Sequence, residues 1–193
     1  MTIFGVCGSV TLIFVGFSVQ NSISGIKERQ FSDIMKYDLI VAQNDGISDK
    51  QRDEIDELLD SDFVENQTSV HYETVTKIAG KNGDKQEIKL IVPKDSDSLS
   101  DYITLVNRSS GKQLELSDDG CIVSERLAKL LNVGMGDSFE INGSESESHT
   151  VTVSGITEMY TGHFIFMNSD YYQTAFSKKY VSNEELVTLN DRS

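Results

Sequence analysis

The feature that most constrains this chain is its uncharged beginning, because no charged residue occurs before Lys27. Residues 3–19 form a nearly continuous apolar run. Residues 3–26, if helical, would be about 36 Å long at roughly 1.5 Å per residue. The hydrocarbon core of a bilayer is about 30 Å thick. The run therefore predicts a transmembrane helix over residues 1–26.

A cleaved signal peptide or a buried helix of a soluble protein would also use an apolar run of this kind. A signal peptide usually carries basic residues before the run and a small-residue cleavage site after it. This sequence has neither. A membrane span is therefore the favoured interpretation of residues 1–26.

The remainder of the chain is acidic, with 17 Lys and Arg against 31 Asp and Glu and a formal net charge of −14. A phosphate backbone would be repelled by this surface, so nucleic acid is not an expected partner. Cationic peptides would instead be attracted. The two cysteines, Cys7 and Cys121, exclude a disulfide framework and every multi-cysteine zinc pattern.

The segment after the apolar run is predicted to be a helical stalk over residues 27–36, followed by a strand over residues 37–42. Ser48 and Gln51 have the spacing of a capping box, which predicts the start of an amphipathic helix. Alternating segments predict strands over residues 69–79 and 87–92. Strands and helices in this order indicate a mixed α+β domain.

The second half of the chain continues the same pattern. Ser124 is predicted to cap a helix that ends at Gly134, and residues 150–156 alternate as a strand should. The predicted fold class is therefore α+β. It comprises an N-terminal transmembrane helix and a stalk, followed by a mixed α+β extracytoplasmic domain of one or two lobes.

Candidate catalytic groups are few. His71, His149 and His163 lie in unrelated segments without the spacing of paired metal ligands. Cys121 precedes a predicted helix, as reactive thiols often do, but its apolar neighbours favour a buried structural cysteine. We therefore predict no catalytic, cofactor-binding or metal-binding residue and no cofactor. A hydrolase built around Cys121 and His163 is the alternative from the enzyme class.

The most aromatic part of the chain runs from residue 158 to residue 176. Core packing is the favoured interpretation, and contact with a partner or an apolar substrate is the alternative. The candidate contact residues are Tyr160, Phe164, Phe166, Tyr171 and Tyr172.

Several short motifs, at residues 120–141, 153–158 and 165–172, occur in an order that resembles that of FtsX-like and MacB-like permeases. Residues 120–128 and 131–141 resemble the strand, helix and Gly-Asp turn of that family. Residues 153–158 and 165–172 are similar to its Val-x-Gly-Ile strand and its closing segment with a tyrosine. These motifs follow a first apolar helix and an entry strand, and together they extend over nearly the whole chain.

This resemblance implies the extracytoplasmic domain of an ABC transporter permease, set between the first and second membrane helices. Residues 37–182 would form the MacB-like core domain, and residues 183–193 would begin the connection to the second membrane helix. The resemblance further implies a cell-membrane protein whose main domain faces outward, at a Gram-positive cell surface.

The implied partners are a cytoplasmic ATPase subunit that hydrolyses ATP and a second permease in a dimer. A peptide or a component of the cell envelope would be the external partner. The implied role is to couple ATP-driven motion to the export or extraction of a peptide, antibiotic or lipid-linked substrate, or to regulation of an envelope partner. A single-span surface protein that binds or senses a ligand is the alternative.

Overall fold

The computed structural model describes residues 2–42, 48–80, 83–143 and 147–190, with side chains described there except for residues 2–9 and Asp49. The helices and strands, in chain order, are α1 (Thr2–Glu28), β1 (Leu39–Ala42), α2 (Asp49–Leu59), β2 (Val64–Ala79), β3 (Asp84–Pro93), α3 (Leu99–Tyr102), β4 (Cys121–Ser124), α4 (Glu125–Leu131), β5 (Ser138–Asn142), β6 (Ser148–Thr157), β7 (Phe164–Phe166), α5 (Ser169–Phe176) and β8 (Glu184–Leu189).

The strands form one mixed sheet in the order β1-β8-β2-β3-β7-β4-β6-β5, which confirms the α+β class. Most neighbours are antiparallel, whereas β3 and β7 are parallel, as are β4 and β6. The end strand β5 also pairs with β2 through Thr76 and Asn142. A closed ring of strands is therefore formed in the order β2-β3-β7-β4-β6-β5, and β8 and β1 extend the sheet outside it.

The long strand β2 belongs to both regions of the sheet. Its first half, from Val64 to Val70, pairs with β8, and its second half, from Val70 to Ala79, pairs with β3. One continuous strand thus connects the outer region to the ring.

Two hydrophobic cores lie on opposite faces of the central strands. Leu90, Cys121 and Ile165 belong to the first core, which also contains buried residues of α4 and α5. Ile91 and Ile122, which follow directly in sequence, belong to the second core. Strands buried on both faces are apolar at successive positions instead of alternating, and this explains the unbroken runs Leu90–Val92, Cys121–Val123 and Phe164–Met167.

The predicted capping box is present at the start of α2. The Ser48 hydroxyl accepts a hydrogen bond from the Gln51 amide at 3.4 Å, and the Gln51 side chain accepts one from the Ser48 amide at 3.0 Å. This reciprocal pair satisfies two backbone donors that the first helical turn leaves free.

The predicted ends of α4 need two corrections. Ser124 is at the N-cap position, but its hydroxyl accepts a hydrogen bond from the Phe164 amide at 3.1 Å instead of capping the helix. At the other end, Asn132 takes the left-handed conformation with φ of 55°, so α4 ends before Gly134. Asparagine tolerates this conformation because its short side chain bonds locally.

The predicted N-terminal helix is present as α1, and its apolar side chains from Val10 to Val19 are exposed. Over the part of the chain that is described, no helix combines the length and the apolar character needed to cross a membrane. The predicted membrane span of residues 1–26 is therefore not confirmed.

The C-terminal segment contributes a strand to the domain. Residues 184–189 form β8, which lies between β1 and β2 in the sheet. Leu186 and Val187 are buried, so this strand contributes to the packing of the domain. A connection from residues 183–193 to a second membrane helix stays a prediction.

The close approach of Gly120 to β6 gives a stability prediction. A Cβ atom on Gly120 would lie 2.5 Å from the Thr152 carbonyl oxygen, whereas one on Gly134 would meet its nearest atom at 3.6 Å. We expect Gly120→Ala to lower the free energy of unfolding by about 1–3 kcal/mol, as other overpacking substitutions do. Denaturant unfolding measures this, with Gly134→Ala as the matched control. Equal stability of the two variants would contradict the packing described for β4 and β6.

Candidate functional site

The chain passes from α1 into the domain through a π-helical turn, Arg29–Ile34. Its wider hydrogen-bond spacing is seen where the Met35 amide donates to the Gln30 carbonyl at 2.9 Å. Isolated π-helical turns are rare and frequently occur at functional sites. We call residues 29–36, with the contacting segments 102–104 and 158–160, the stalk joint.

Gln30 is the centre of the stalk joint and is 0% exposed. Its side-chain nitrogen donates to the sulfur atoms of Met35 and Met159, each at 3.3 Å. Its side-chain oxygen accepts a hydrogen bond from the Tyr160 amide at 2.9 Å. Both ends of this amide are therefore held, as a buried polar group requires, and the stalk is fixed to the segment before β7.

Backbone hydrogen bonds fix the end of the stalk on its other side. The Thr104 amide donates to the Ile34 carbonyl, and the Lys36 amide donates to the Tyr102 carbonyl, each at 2.8 Å. Ile34 and Met35 are buried in the second core. The last turn of the stalk is therefore an integral part of the domain.

Charged side chains link the same turn to α4, and we call them the Tyr160 network. The Arg29 guanidinium donates to the Tyr160 hydroxyl at 3.3 Å, and that hydroxyl donates to Glu158. Arg108 pairs with Glu158 at 3.3 Å and with Glu125 in the first turn of α4 at 3.1 Å. The network runs from the stalk across the surface to α4.

The electrostatics of the Tyr160 network are balanced, because its two arginines face two glutamates. The Arg108 guanidinium also lies over the Tyr160 ring, 4.8 Å from the ring centre, where the negative face of the ring attracts a cation. The hydrogen bond that Arg29 donates to the Tyr160 hydroxyl, followed by the negative potential of Tyr160 and that of Glu158, raises the pKa of Arg29. All these contacts favour one position of Tyr160 against the stalk.

The aromatic residues proposed from the sequence separate into two groups. Tyr160 is half-buried in the stalk joint, where it packs beside the second core. The others are buried in the two cores: Phe164, Phe166, Tyr171 and Tyr172. Core packing was the favoured interpretation of these four side chains, and a partner contact for them stays a prediction. A partner contact of Tyr160 stays a prediction.

The three histidines lie apart, each in its own environment. His71 bonds to the Val181 carbonyl at 2.8 Å and to the Tyr172 hydroxyl at 3.1 Å. His149 stacks on Phe176. Burial, followed by repulsion from Arg126, lowers the pKa of His163.

Cys121 lies in the first core and is 0% exposed. Burial raises the pKa of Cys121 to about 12, so its thiol is neutral and inaccessible at physiological pH, whereas a nucleophilic cysteine is an exposed thiolate. Within residues 10–42, 48–80, 83–143 and 147–190, no three His, Cys, Asp or Glu side chains are placed to hold a metal ion.

Gln30 and Arg108 were not identified from the sequence as site residues. The sequence does contain a signal that Gln30 is buried, because Gln30 lies four residues after Ile26 and four before Ile34. It therefore occupies the apolar face of a helix. Arg108 has no comparable signal, since its partners Glu125 and Glu158 are distant in sequence.

The fold and the joint define an α+β domain tethered through a helical stalk. The sequence model for the MacB-like periplasmic core domain matches residues 1–192. The chain therefore belongs to the family of MacB-like periplasmic core domains, which are extracytoplasmic parts of ABC transporter permeases. The resemblance found in the sequence motifs is confirmed.

The matches among solved structures include two transporter domains. The extracellular domain of the noncanonic ABC-type transporter YknZ from Gram-positive bacteria is 13% identical, with a TM-score of 0.44 over 79% of this chain and 83% of that one. The periplasmic region of MacB from Actinobacillus actinomycetemcomitans is 10% identical, with a TM-score of 0.42 over 80% of this chain and 74% of that one. The comparison with curated proteins gave no significant match.

The buried amide of Gln30 gives a second stability prediction. Gln30→Leu leaves the Tyr160 amide without its acceptor inside the joint, so we expect the free energy of unfolding to fall by about 1–3 kcal/mol. Ser32→Ala, at an exposed position in the same turn, should change it by less than about 0.5 kcal/mol. Denaturant unfolding of the three proteins measures the difference. A Gln30→Leu protein as stable as Ser32→Ala would contradict the role given to the amide.

The state of Cys121 gives a prediction on reactivity. Iodoacetamide at mildly alkaline pH should leave Cys121 unmodified in the folded protein, because the thiol is buried and its pKa is raised. It should modify the same residue after unfolding in denaturant. Peptide mass spectrometry locates the label. Rapid modification of Cys121 in the folded protein would restore the hydrolase alternative.

Proposed function

We propose that this chain is the extracytoplasmic domain of an ABC transporter permease subunit, and that its stalk joint couples movement of α1 to the domain. The family match over residues 1–192 supports the first part. The observation that carries the second part is Gln30, which is buried and bonded at both ends of its amide where the stalk enters the domain.

The joint suits transmission of movement because its contacts act in several directions. The Gln30 side chain fixes the stalk to residues 159–160, the backbone of Ile34 and Lys36 fixes it to residues 102–104, and the Tyr160 network extends to α4. A rotation of the stalk relative to the domain would break bonds of all three kinds. Movement of the stalk and the domain together therefore costs less free energy than rotation of the stalk relative to the domain.

The exposed apolar side chains of α1 support packing of this helix against the membrane part of the permease. Between Val10 and Ile26 they are exposed. In the proposed arrangement lipid or other permease helices cover them. The domain would then lie outside the cell, at the cell membrane.

ATP hydrolysis would take place in a separate cytoplasmic ATPase subunit, and this domain would contribute no catalytic centre. A permease dimer would place two such domains side by side. Coupling of this kind requires that the bound and free nucleotide states favour different positions of the domain. The cargo or envelope partner would act on the same equilibrium from outside.

The coupling role predicts opposite results for loosening and for locking the joint. In the full-length permease with its ATPase, we expect the double variant Gln30→Leu, Tyr160→Phe to lower transport-linked function at least about fivefold, since it removes the side-chain bonds between the stalk and residues 158–160. Arg126→Gln, an exposed arginine outside the Tyr160 network, is the matched control and should retain function.

The locking variant joins the stalk to the domain by a disulfide. Met35 and Ile103 face each other in an antiparallel bridge, where Cα atoms are about 4.5–5.5 Å apart, as a disulfide requires. Oxidised Met35→Cys, Ile103→Cys in a Cys7→Ser background should keep full function. Loss of function on oxidation, with recovery on reduction, would mean that the stalk must move relative to the domain and would contradict the proposal.

A further inference from the structure

The helix α2 lies across the outer region of the sheet and leaves an apolar cleft of about 300 Å³ between helix and strands. Apart from Ser61, apolar side chains line it from both sides. Those that the following steps use are Leu39, Val187, Leu58, Leu59 and Phe63.

The mouth of this cleft is formed by large apolar side chains that face solvent. Leu58 is 68% exposed and Phe63 is 76% exposed, and Leu39 on β1 is 48% exposed. Scattered exposed leucines are ordinary on a protein surface, whereas a group of them around a cleft marks an interaction site.

A second cleft of about 340 Å³ adjoins the first, and Leu59 lines both. Its polar side chains include three carboxylates, Asp56, Asp60 and Glu185, and among the described residues no basic one lines it. The helix α2 itself has five acidic residues against two basic ones, and Lys50 is paired with Glu54. The two clefts together are apolar at one end and negative at the other.

The negative charge of the second cleft decides which kind of ligand can bind to the two clefts. An anionic membrane surface would be repelled by the carboxylates of the second cleft. A second copy of this chain has the same formal charge of −14, so it would also be repelled unless it presented a basic patch. A ligand with apolar side chains beside Lys or Arg matches both clefts at once.

We propose that the two clefts under α2 bind a cationic amphipathic peptide. Its apolar side chains occupy the space between Leu39, Leu58 and Phe63, and its cationic side chains pair with Asp56, Asp60 and Glu185. This inference goes beyond the coupling role of the stalk joint and does not depend on it, since the clefts share no residue with the joint.

The test uses the 193-residue protein and a short synthetic peptide of leucine and lysine with the lysines on one face. Binding is measured by fluorescence anisotropy of the labelled peptide at low and at high salt. We expect the dissociation constant to rise with salt, because opposite charges meet at the second cleft. The same peptide with glutamate in place of lysine should bind at least about tenfold more weakly.

Two double variants separate the two ends of the site. Asp56→Asn, Asp60→Asn should weaken binding roughly fivefold or more and reduce its salt dependence. Leu58→Ser, Phe63→Ser should weaken binding about tenfold with the salt dependence retained. All four side chains are exposed, so these proteins should fold. The matched controls are Asp119→Asn and Met135→Ser, at exposed positions away from α2.

Several results would overturn the proposal. Equal binding of the lysine and glutamate peptides would do so, as would equal binding by the cleft variants and their controls. Binding to anionic vesicles in preference to the lysine peptide, or a concentration-dependent dimer abolished by Leu58→Ser, Phe63→Ser, would assign the cleft to another occupant. Tyr160→Phe should bind the peptide normally, so failure of the coupling role and failure of this site are distinguishable.

Discussion

The structure depends on three central strands, β3, β7 and β4, that are covered on both faces. Successive residues such as Leu90 and Ile91, or Ile122 and Val123, contribute to opposite cores. Because neither face can be exposed without loss of apolar burial, the helices α4 and α5 on one side and the stalk end on the other are held to the same strands. The position of the stalk is thereby tied to the packing of the whole domain.

The stalk joint illustrates how a polar group can specify geometry inside an apolar environment. Gln30 lies among methionine side chains, and its amide has one set of partners that satisfies it. A leucine would fill similar space without fixing direction, whereas a buried amide is costly wherever its partners are absent. The joint therefore has one favoured orientation, which is the property that transmission of movement requires.

Much of the fold could be predicted from local sequence. The capping box at Ser48 and the buried run Cys121–Val123 depend only on residues that are close in sequence. The helix α2 and the strand β4 that contain them are present. The end of α4 at Asn132 and the pairing of β8 between β1 and β2 depended on tertiary contacts. The ion pairs of Arg108 could not be predicted for the same reason. Its partners Glu125 and Glu158 are distant in sequence and come together only in the folded domain.

The most direct test of the account is a distance measurement across the stalk joint in the full-length permease. Spin labels at two exposed positions, Asn21 on α1 and Lys112 on the domain, would report their separation by pulsed electron resonance with and without ATP. The account predicts the same narrow distance distribution in both nucleotide states, and a broad one in Gln30→Leu, Tyr160→Phe. A distribution that shifts with ATP in the unaltered joint would show that the stalk moves against the domain, and would contradict the account.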